Sequence, residues 1–263
     1  MSHLFPEKIT VWLSNDSISF IRTRRKKSEP NECVLVMPFD QTESDESFDG
    51  ALIKFKEKHL GAARFSLILS NAFVQYLLLE SQEEIQTMAE EAVYVEFKYR
   101  EVFDQFSSDM SFSWDVGLNS RSVLSSAVST KLLSSLQGCF KRHGLQLESV
   151  QPYLMVFFNQ LLTKFPKHKN RIILLEGGQY IYVEILDGQW VRVHQRYCPE
   201  DWESQVEVFI QRENLLSKSD FNNSKIHVFS SSQSIYVSQS LANVLVLPPE
   251  SLLLKNKNLD LTI

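Results

Sequence analysis

The stretch that decides the fold is residues 171–197, RIILLEGGQYIYVEILDGQWVRVHQRY. It consists of three runs rich in β-branched and aromatic residues, which are typical of strands. The runs are separated by Gly177-Gly178 and by Asp187-Gly188. Both dipeptides suit two-residue hairpin turns, whose central residues need φ above zero. The stretch therefore predicts a meander of three strands, and the residues after it predict a helix from about Asp201 and a strand at 226–229.

The beginning of the chain follows the same plan. Apolar runs at 8–14 and 18–24 flank the turn-forming Asn15-Asp16-Ser17, and a third strand at 33–37 precedes a helix over 49–60. Two halves with the order strand, turn, strand, strand, helix indicate an α/β protein with mixed (α+β) sheets and two ribonuclease-H-like lobes. We place the first lobe at 1–166 and the second at 171–263, joined by a polar connector.

The first lobe is expected to carry an inserted strand pair and helix. The two strands are predicted at 64–69 and 73–79. The segment Ser81-Gln82-Glu83-Glu84 has the capping-box pattern and so predicts the start of a long helix that reaches Phe106. The apolar residues recurring along that helix, which we expect to form one buried stripe, are Ile85, Met88, Ala92, Val95, Tyr99, Val102 and Phe106.

Three further helices are expected. A second long helix is predicted over 122–143, closed by Gly144, and a weak helical stretch over 238–246. Pro152 suits the first turn of a helix that follows a strand at 145–150.

Composition argues against several classes of protein. The 27 Lys and Arg against 32 Asp and Glu give a formal charge of −5, whereas a general nucleic-acid binder needs a basic face. No segment approaches the roughly 18 consecutive apolar residues of a membrane span. The first residues also lack the charged start and apolar core of a secretory signal. We therefore expect a cytoplasmic protein that does not bind nucleic acid and does not itself span a membrane.

Cysteines and one basic run complete the compositional picture. Cys33, Cys139 and Cys198 are widely spaced and form no CxxC pair, so they are predicted to be reduced packing residues and not a disulfide framework or a zinc site. The basic run at 22–27 is interpreted as a solvated hairpin end. Contact with acidic lipid headgroups or an acidic partner is the alternative.

At this point the chain resembles a known family: the PilM-type proteins of type IV pilus assembly and the related cytoplasmic domain of GspL in type II secretion. Residues 64–86, RFSLILSNAFVQYLLLESQEEIQ, are similar to the inserted strand pair and helix of that family's first lobe. Residues 138–161, GCFKRHGLQLESVQPYLMVFFNQL, are similar to its passage into the second lobe. Residues 173–190, ILLEGGQYIYVEILDGQW, are similar to the second-lobe opening. The resemblance implies an actin-like fold.

The resemblance also implies where a nucleotide would bind. Active members of the actin-like superfamily resemble one another in two Asp-x-Gly turns, where carboxylates hold a magnesium-bound water and glycine lets backbone amides approach phosphates. The first such turn falls on Trp12 and Ser14, and a tryptophan cannot hold a metal-bound water. Asp16 lies nearby, but at a hairpin tip its usual role is local hydrogen bonding.

The second turn is retained in part. It falls on Glu176, Gly177 and Gly178, with glutamate in place of aspartate, so these three residues are the candidate cofactor site. A structural role of Glu176 at a strand end is the alternative. The glycine pair that supports adenosine in that superfamily should follow residues 226–229, where this chain has Ser230-Ser231-Ser232.

No complete catalytic motif occurs in the sequence. The widely spaced His143, His194 and His227 do not suggest a metal site, and each is expected on the surface or in a hydrogen bond. By the resemblance, we expect a scaffold that has no catalytic residues, metal or cofactor and is not an enzyme. It would dock a cytoplasmic segment of an inner-membrane pilus or type II secretion assembly protein, and so lie at the inner membrane through that partner.

Three alternatives stay open. One is an ATP-binding protein, either an ATPase or a nucleotide switch, that binds magnesium-ATP through Glu176, Gly177 and Gly178. Another is a sensor of a small ligand or peptide in the vacated cleft. The sequence also leaves open whether the chain is a monomer or a homodimer.

Overall fold

The computed structural model describes residues 6–24, 31–59, 61–82, 84–85, 87–103, 109–114, 122–161, 169–198, 202–217, 224, 226–230 and 242–246. The strands in chain order are β1 (Glu7–Leu13), β2 (Ser17–Thr23), β3 (Glu32–Pro38), β4 (Ala63–Leu69), β5 (Gln75–Glu80), β6 (Met110–Trp114), β7 (Ser122–Ser129), β8 (Gln146–Pro152), β9 (Lys169–Glu176), β10 (Gln179–Leu186), β11 (Gln189–Tyr197), β12 (Ile226–Ser230) and β13 (Ala242–Val246). The helices are α1 (Ser44–Lys58), α2 (Met88–Val102), α3 (Thr130–Arg142), α4 (Tyr153–Leu161) and α5 (Trp202–Leu216).

Two five-stranded sheets share one topology. Their strand orders are β3-β2-β1-β4-β8 and β11-β10-β9-β12-β13. In each sheet the first three strands form an antiparallel meander, and the last two strands add in parallel. The repeat expected from the sequence is thus confirmed, down to the helix that follows each meander, and the fold is α/β with mixed sheets.

The meander at 171–197 forms as predicted. Gly177 and Gly178 have φ of 64° and 72°, and Asp187 and Gly188 have φ of 51° and 80°. Positive φ at both central residues matches the right-handed twist of the flanking strands, so each turn joins its strands without splaying them. Both faces of β9 and β10 are buried, which explains their nearly unbroken apolar sequence.

Phenylalanines fill the core beneath the first sheet. Phe20 of β2 stacks on Phe55 of α1 at 4.7 Å between ring centroids, and Phe55 meets Phe65 of β4 edge-on at 5.6 Å. Phe65 contacts Phe140 of α3 at 5.4 Å, and Phe140 contacts Phe48 of α1 at 5.6 Å. Because all five rings are almost fully buried, they join the two helices to the sheet through one continuous apolar contact.

The chain divides into two compact units by its internal contacts. Described residues up to Phe73 and those from Thr130 to Leu161 belong to one unit, while those from Val74 to Ser129 and from Lys169 to Val246 belong to the other. The second unit includes a three-stranded antiparallel sheet of order β5-β7-β6 beside β11. There Gln195 donates to the carbonyl of Val74 at 2.8 Å. The lobe limits of 1–166 and 171–263 stay a prediction, and residues 166–168 of the connector lie outside the described residues.

The prediction of one helix over 122–143 is wrong. The segment forms strand β7 followed by helix α3. Val123, Leu124, Ala127 and Val128 fit helical spacing, yet Ser122–Ser129 pairs antiparallel with β5 on one edge and β6 on the other. Backbone hydrogen bonds to strands on both sides stabilise the extended form of this segment. Its intrinsic helix propensity is weak, and its four serines lower that propensity further. The predicted end of the helix is confirmed, since Gly144 has φ of 64° and Leu145 N donates to Phe140 O.

The helix α2 starts later than predicted. Thr87 is its N-cap: the threonine side chain accepts from Glu90 N at 3.2 Å, and Glu90 Oε2 accepts from Thr87 N at 3.0 Å. Ser81 lies before the helix, in an irregular segment. Of the expected buried stripe, Val95 and Tyr99 are buried, whereas Met88 and Val102 at the helix ends are exposed and Phe106 lies outside the described residues.

Four smaller predictions are also wrong. β4 and β5 are both strands, but they belong to different sheets and do not form a pair. The helix predicted over 49–60 begins earlier, at Ser44, and ends at Lys58 with an extended His59. The described part of 238–246 is strand β13, paired in parallel with β12. The packing role predicted for the cysteines is wrong only for Cys33, which is exposed; Cys139 and Cys198 are buried, and all three are free thiols as predicted.

The basic run contributes ion pairs across the first sheet. Arg22 contacts Glu7 at 3.1 Å and Glu32 at 3.5 Å, and Arg24 also pairs with Glu32. Residues 25–27 of the run lie outside the described residues.

We predict that Thr87→Ala lowers the free energy of unfolding by about 1 kcal/mol, because the Glu90 amide in the first turn of α2 loses the side-chain oxygen that accepts its hydrogen bond. Urea denaturation measures the loss. Ser81→Ala is the matched control and should change stability by less than about 0.5 kcal/mol, since Ser81 caps no helix. An equal or larger loss in Ser81→Ala would show that the helix begins where the sequence suggested.

Candidate functional site

The first candidate phosphate turn is the β1–β2 hairpin. Trp12 is 1% exposed and packs edge-on against Tyr153 with 4.7 Å between ring centroids. The indole is therefore held within the first unit by aromatic contact. A carboxylate is absent from this position, and the large apolar ring that replaces it gives no ligand for a magnesium-bound water.

The polar groups of this turn bind one another. The Ser14 hydroxyl lies 2.6 Å from Asp16 Oδ1 and 2.8 Å from Ser17 Oγ, and it accepts from Ser17 N at 3.0 Å. Asp16 thus has the local hydrogen-bonding role expected for a hairpin tip. The backbone amide of Ser14 is also engaged, since it donates to Ser17 O at 2.9 Å. Both the hydroxyl and the amide of Ser14 are therefore engaged in hydrogen bonds within the hairpin.

The second candidate turn joins β9 to β10. Glu176 is the last residue of β9 and is 7% exposed, while Gly177 and Gly178 form the turn with positive φ. The carbonyl of Gly178 accepts from Cys198 N at 2.8 Å. A Cβ at Gly178 would meet Tyr197 only at 4.0 Å, so backbone conformation and not crowding requires glycine here. Nucleotide binding by this turn stays a prediction.

The remaining sequence candidates do not come together. Ser230, where the adenosine-supporting glycines were expected to follow β12, is a buried strand residue, and Ser231 and Ser232 lie outside the described residues. Of the three histidines, His143 pairs with Asp49 at 3.1 Å and His194 pairs with Glu213 at 2.9 Å. His227 is buried in β12. Within the described ranges, no three His, Cys, Asp or Glu side chains cluster as metal ligands.

A buried ionic cluster that the sequence did not predict lies between α5 and the meander. Glu213 of α5 is fully buried, and its carboxylate lies 2.9 Å from His194, 3.1 Å from Arg212 and 3.2 Å from Arg192. The Arg192 contact is an ion pair by distance, without an aligned hydrogen bond to Glu213 Oε2. Three cationic or potentially cationic groups thus surround one carboxylate.

A second buried carboxylate extends the cluster. Glu184 of β10 accepts from the hydroxyls of Tyr182 and Ser217, each at 2.6 Å. Arg171 of β9 donates to the same Tyr182 hydroxyl at 3.0 Å, and the Arg192 guanidinium lies 5.2 Å from the centre of the Tyr182 ring. Tyr182 therefore joins two charged groups of opposite sign, and burial raises the pKa of its hydroxyl well above the ordinary value.

The electrostatics of Glu213 follow from these contacts. Burial alone would raise the pKa of its carboxyl, but the hydrogen bond and charge of His194, together with Arg192 and Arg212, outweigh burial and lower it. The nearby thiol of Cys198 has no such partner, and burial raises its pKa to about 12. The cluster thus keeps Glu213 ionised beneath α5, while burial alone keeps the Cys198 thiol protonated.

A signal for this cluster was present in the sequence. Val206, Ile210 and Glu213 recur at helical spacing, which places a carboxylate in the apolar stripe of α5. On the meander, the strand alternation places Arg171, Tyr180, Tyr182, Glu184, Arg192 and His194 on one face, as the register shows. A carboxylate within the apolar stripe of a helix, together with cationic residues at alternate strand positions, is the sequence pattern that would have predicted this cluster.

The inserted region of the second unit holds a cavity of about 70 Å³ between α2 and the β5-β7-β6 sheet. Leu79, Val95, Val123 and the Trp114 ring supply its apolar walls. The Trp114 indole donates to Glu91 Oε2 at 3.0 Å, which fixes one wall. This volume accommodates about two waters or a small aliphatic side chain.

We predict that Glu213→Gln destabilises the protein by about 3 kcal/mol at pH 7, because it removes the buried carboxylate that balances three partly buried cationic groups. Since the folded pKa of Glu213 lies below its ordinary 4.5, the carboxylate stabilises the fold above pH 4.5, and this contribution is lost as pH falls through the folded pKa. The difference in free energy of unfolding between wild type and Glu213→Gln, measured by urea denaturation, should therefore become smaller below pH 4.5.

The control for that prediction is Glu96→Gln, which removes an exposed pair with Arg100 on α2. Its effect should stay within about 0.5 kcal/mol at every pH. A difference in free energy of unfolding between wild type and Glu213→Gln that stays constant across the acid range would contradict the lowered pKa of Glu213.

Comparisons with known proteins identify the architecture. No protein-family model matches the sequence, and no curated protein matches it. Among solved structures, the chain is similar to the PilM-PilN type IV pilus biogenesis complex, with a TM-score of 0.66 and 9% identity over 94% of this chain and 89% of that chain.

Two further structures have the same architecture. The cytoplasmic domain of EpsL, an inner membrane component of the type II secretion system of Vibrio cholerae, gives a TM-score of 0.59 at 9% identity over 94% of this chain and 92% of that chain. A Bacteroides thetaiotaomicron protein of unknown function with an actin-like ATPase fold gives 0.57 at 10% identity over 85% and 80%. The expected resemblance in fold is confirmed: the chain has an actin-like fold similar to PilM and the EpsL cytoplasmic domain.

Proposed function

We propose that this chain is a non-catalytic, actin-like scaffold that docks a cytoplasmic segment of an inner-membrane protein in a bacterial type IV pilus or type II secretion platform. The fold likeness to a PilM-PilN complex and to an inner membrane component of a secretion system supports the choice of partner class. None of the helices in the described part of the chain has the length and apolar character to cross a bilayer. In this proposal the chain is cytoplasmic and reaches the inner membrane through its partner.

The observation that carries the non-catalytic part is the first turn. Phosphoryl chemistry needs charge-stabilising groups that are in place before the reaction. Here Trp12 occupies the position where the superfamily has a carboxylate, and the Ser14 hydroxyl is bound within its own hairpin. Aromatic packing and a closed turn favour a fold that keeps its shape without nucleotide chemistry.

The docking site of this proposal is the cavity beside the inserted sheet. β6 pairs only with β7 among the described strands, so an extended segment can lie along its other edge. The cavity walls formed by Trp114 of β6, Val123 of β7 and Val95 of α2 would then take one aliphatic side chain of that segment. Strand pairing would supply affinity, and the cavity would select the side chain.

We predict that synthetic peptides of such cytoplasmic segments bind the chain saturably in a fluorescence titration, and that Val123→Phe weakens binding at least tenfold by filling the cavity. Val36→Phe is the matched control, because Val36 is an exposed strand residue of the other unit, and it should bind like wild type. Impaired pilus or secretion assembly on deletion of the gene, without contact to any inner-membrane component, would contradict the proposal.

A second candidate function is an ATP-dependent enzyme or nucleotide switch. One observation favours it: Glu176 is buried at the end of β9 and leads into two glycines with positive φ. A carboxylate beside a glycine turn is the arrangement that magnesium and phosphate require, although here the acid is a glutamate, one methylene longer than the aspartate of the motif.

The melting temperature with and without magnesium-ATP separates the two candidates, and the scaffold predicts no shift at any concentration. If the chain bound nucleotide, a magnesium-ATP concentration of about 100 times the dissociation constant would add roughly 2.7 kcal/mol to the free energy of unfolding. For a protein of this size that corresponds to about 5 to 10 °C. A shift of that size that disappears in Glu176→Ala would establish the nucleotide switch instead.

A further inference from the structure

The inserted sheet, which consists of β5, β7 and β6, lies beside the second meander along two strand edges. Among the described strands, β5 pairs only with β7, and β11 pairs only with β10. β11 lies next to β5, but no backbone ladder joins these two strands within the described residues. The N–H and C=O groups on a strand edge need partners. Side chains must therefore supply the contact between the two edges.

Gln195 of β11 takes the place of a neighbouring strand. Its carboxamide donates to the carbonyl of Val74 at 2.8 Å and accepts from the amide of Tyr76 at 3.3 Å. A strand paired with β5 would offer the same donor and acceptor. The Gln195 nitrogen also donates to the side chain of Gln179, the residue that follows the Gly177-Gly178 turn. One side chain thus joins β5, β10 and β11.

A second contact fastens the other end of the same edge. The Ser122 hydroxyl of β7 donates to the carbonyl of Trp190 in β11. Ser122 lies opposite Glu80 at the end of β5, whereas Gln195 contacts the start of β5. Trp190 and Gln195 are five residues apart, or about 17 Å along a strand. β11 therefore runs along the inserted sheet in the direction opposite to β5, with a side-chain contact at each end.

The inserted sheet and the meander have separate apolar cores. Leu79 and Ala127 of the inserted sheet pack with Val95 and Tyr99 of α2. The meander packs on α5 instead, in a core that shares no residue with the first among those described. An opening between the inserted sheet and the meander would leave both cores intact. Local openings of this kind cost less free energy than global unfolding.

We propose that Gln195 is a latch: when its carboxamide releases β5, the inserted sheet and α2 move away from β11 as one body. The opening exposes the outer edges of β5 and β11, which is the form in which a sheet can accept an extended segment. The inference concerns the chain alone and does not depend on the proposed membrane partner.

Amide hydrogen exchange measured by NMR tests the latch. The amides of Tyr76 and Leu78 face β11, because N–H groups on one edge of a strand recur at every second residue. Both should exchange roughly tenfold faster in Gln195→Ala than in wild type, since two hydrogen bonds that hold the edge are lost. The amide of Val183 in β10 should not change. Gln189→Ala is the matched control, because Gln189 is exposed on the same strand and should leave every rate unchanged.

Two further variants separate a moving body from a local contact. Ser122→Ala should speed exchange at Tyr76 about threefold, although Ser122 lies at the far end of the edge. Gln195→Glu places a carboxylate against two acceptors, Val74 O and Gln179 Oε1, so it should open the latch at pH 7. Protonation returns one donor. The protection of the Tyr76 amide, corrected for intrinsic exchange, should therefore recover below about pH 4.

The inference is overturned by any of three results. An unchanged rate at Leu78 in Gln195→Ala would show that only the Tyr76 hydrogen bond is lost. An effect of Ser122→Ala that stays next to Ser122 would remove the movement as one body. Faster exchange throughout β10 and α5 in Gln195→Ala would mean that the whole unit is destabilised and that Gln195 has a general structural role.

Discussion

The first strand of each five-stranded sheet is the element on which the architecture depends, because it must hydrogen-bond on both sides. β1 and β9 each pair antiparallel with their hairpin partner and in parallel with a strand that arrives only after a helix. Such a strand lies inside the sheet, and where other elements also cover both faces of the sheet, its side chains are apolar on both faces. That requirement explains why β1 and β9 are among the most buried strands, and why the helices that follow each meander are needed to cover the sheet.

The two meanders meet their helices in different ways. In the first unit α1 and α3 cover the sheet with phenylalanines, which need only volume and tolerate approximate placement. In the second unit α5 covers the sheet partly with Glu213, whose partners must lie within hydrogen-bond distance. A buried charge surrounded by fixed cations allows one helix position and disfavours others. We infer that the ionic cluster helps to fix the position of α5 on the sheet.

Much of this architecture was available from the sequence, for reasons that particular residues illustrate. Turn chemistry identified both meanders, since Gly177-Gly178 and Asp187-Gly188 specify backbone conformation locally. β7 was mistaken for a helix because its apolar spacing suits both structures, and only its two neighbouring strands decide between them. Two capping-box patterns, at Ser81 and Thr87, compete before α2, and the sequence does not say which one is used.

The candidate site was less predictable than the fold. Trp12 and Ser14 could be recognised as unsuited to magnesium from their chemistry alone. The packing of Trp12 against Tyr153 could not be predicted, because Tyr153 is distant in sequence, and neither could the hydrogen bonds of Ser14 within the hairpin. Glu213 and its cations come from α5 and β11, so only tertiary structure brings them together. Local signals thus describe turns and strands, whereas sites built from distant segments need the fold itself.

The pairing of β4 with β8 has a consequence for synthesis on the ribosome. Arg64 lies opposite Gln146 in that parallel pair, with the entire inserted region between them in the chain. The first sheet therefore cannot gain its fifth strand until residues past 150 have left the exit tunnel, although its other four strands emerge at the start of translation. Such long-range closure slows folding, and it leaves the β4 edge unpaired while the insertion is being made. A nascent chain of this protein thus has a long interval in which chaperone binding to that edge would matter.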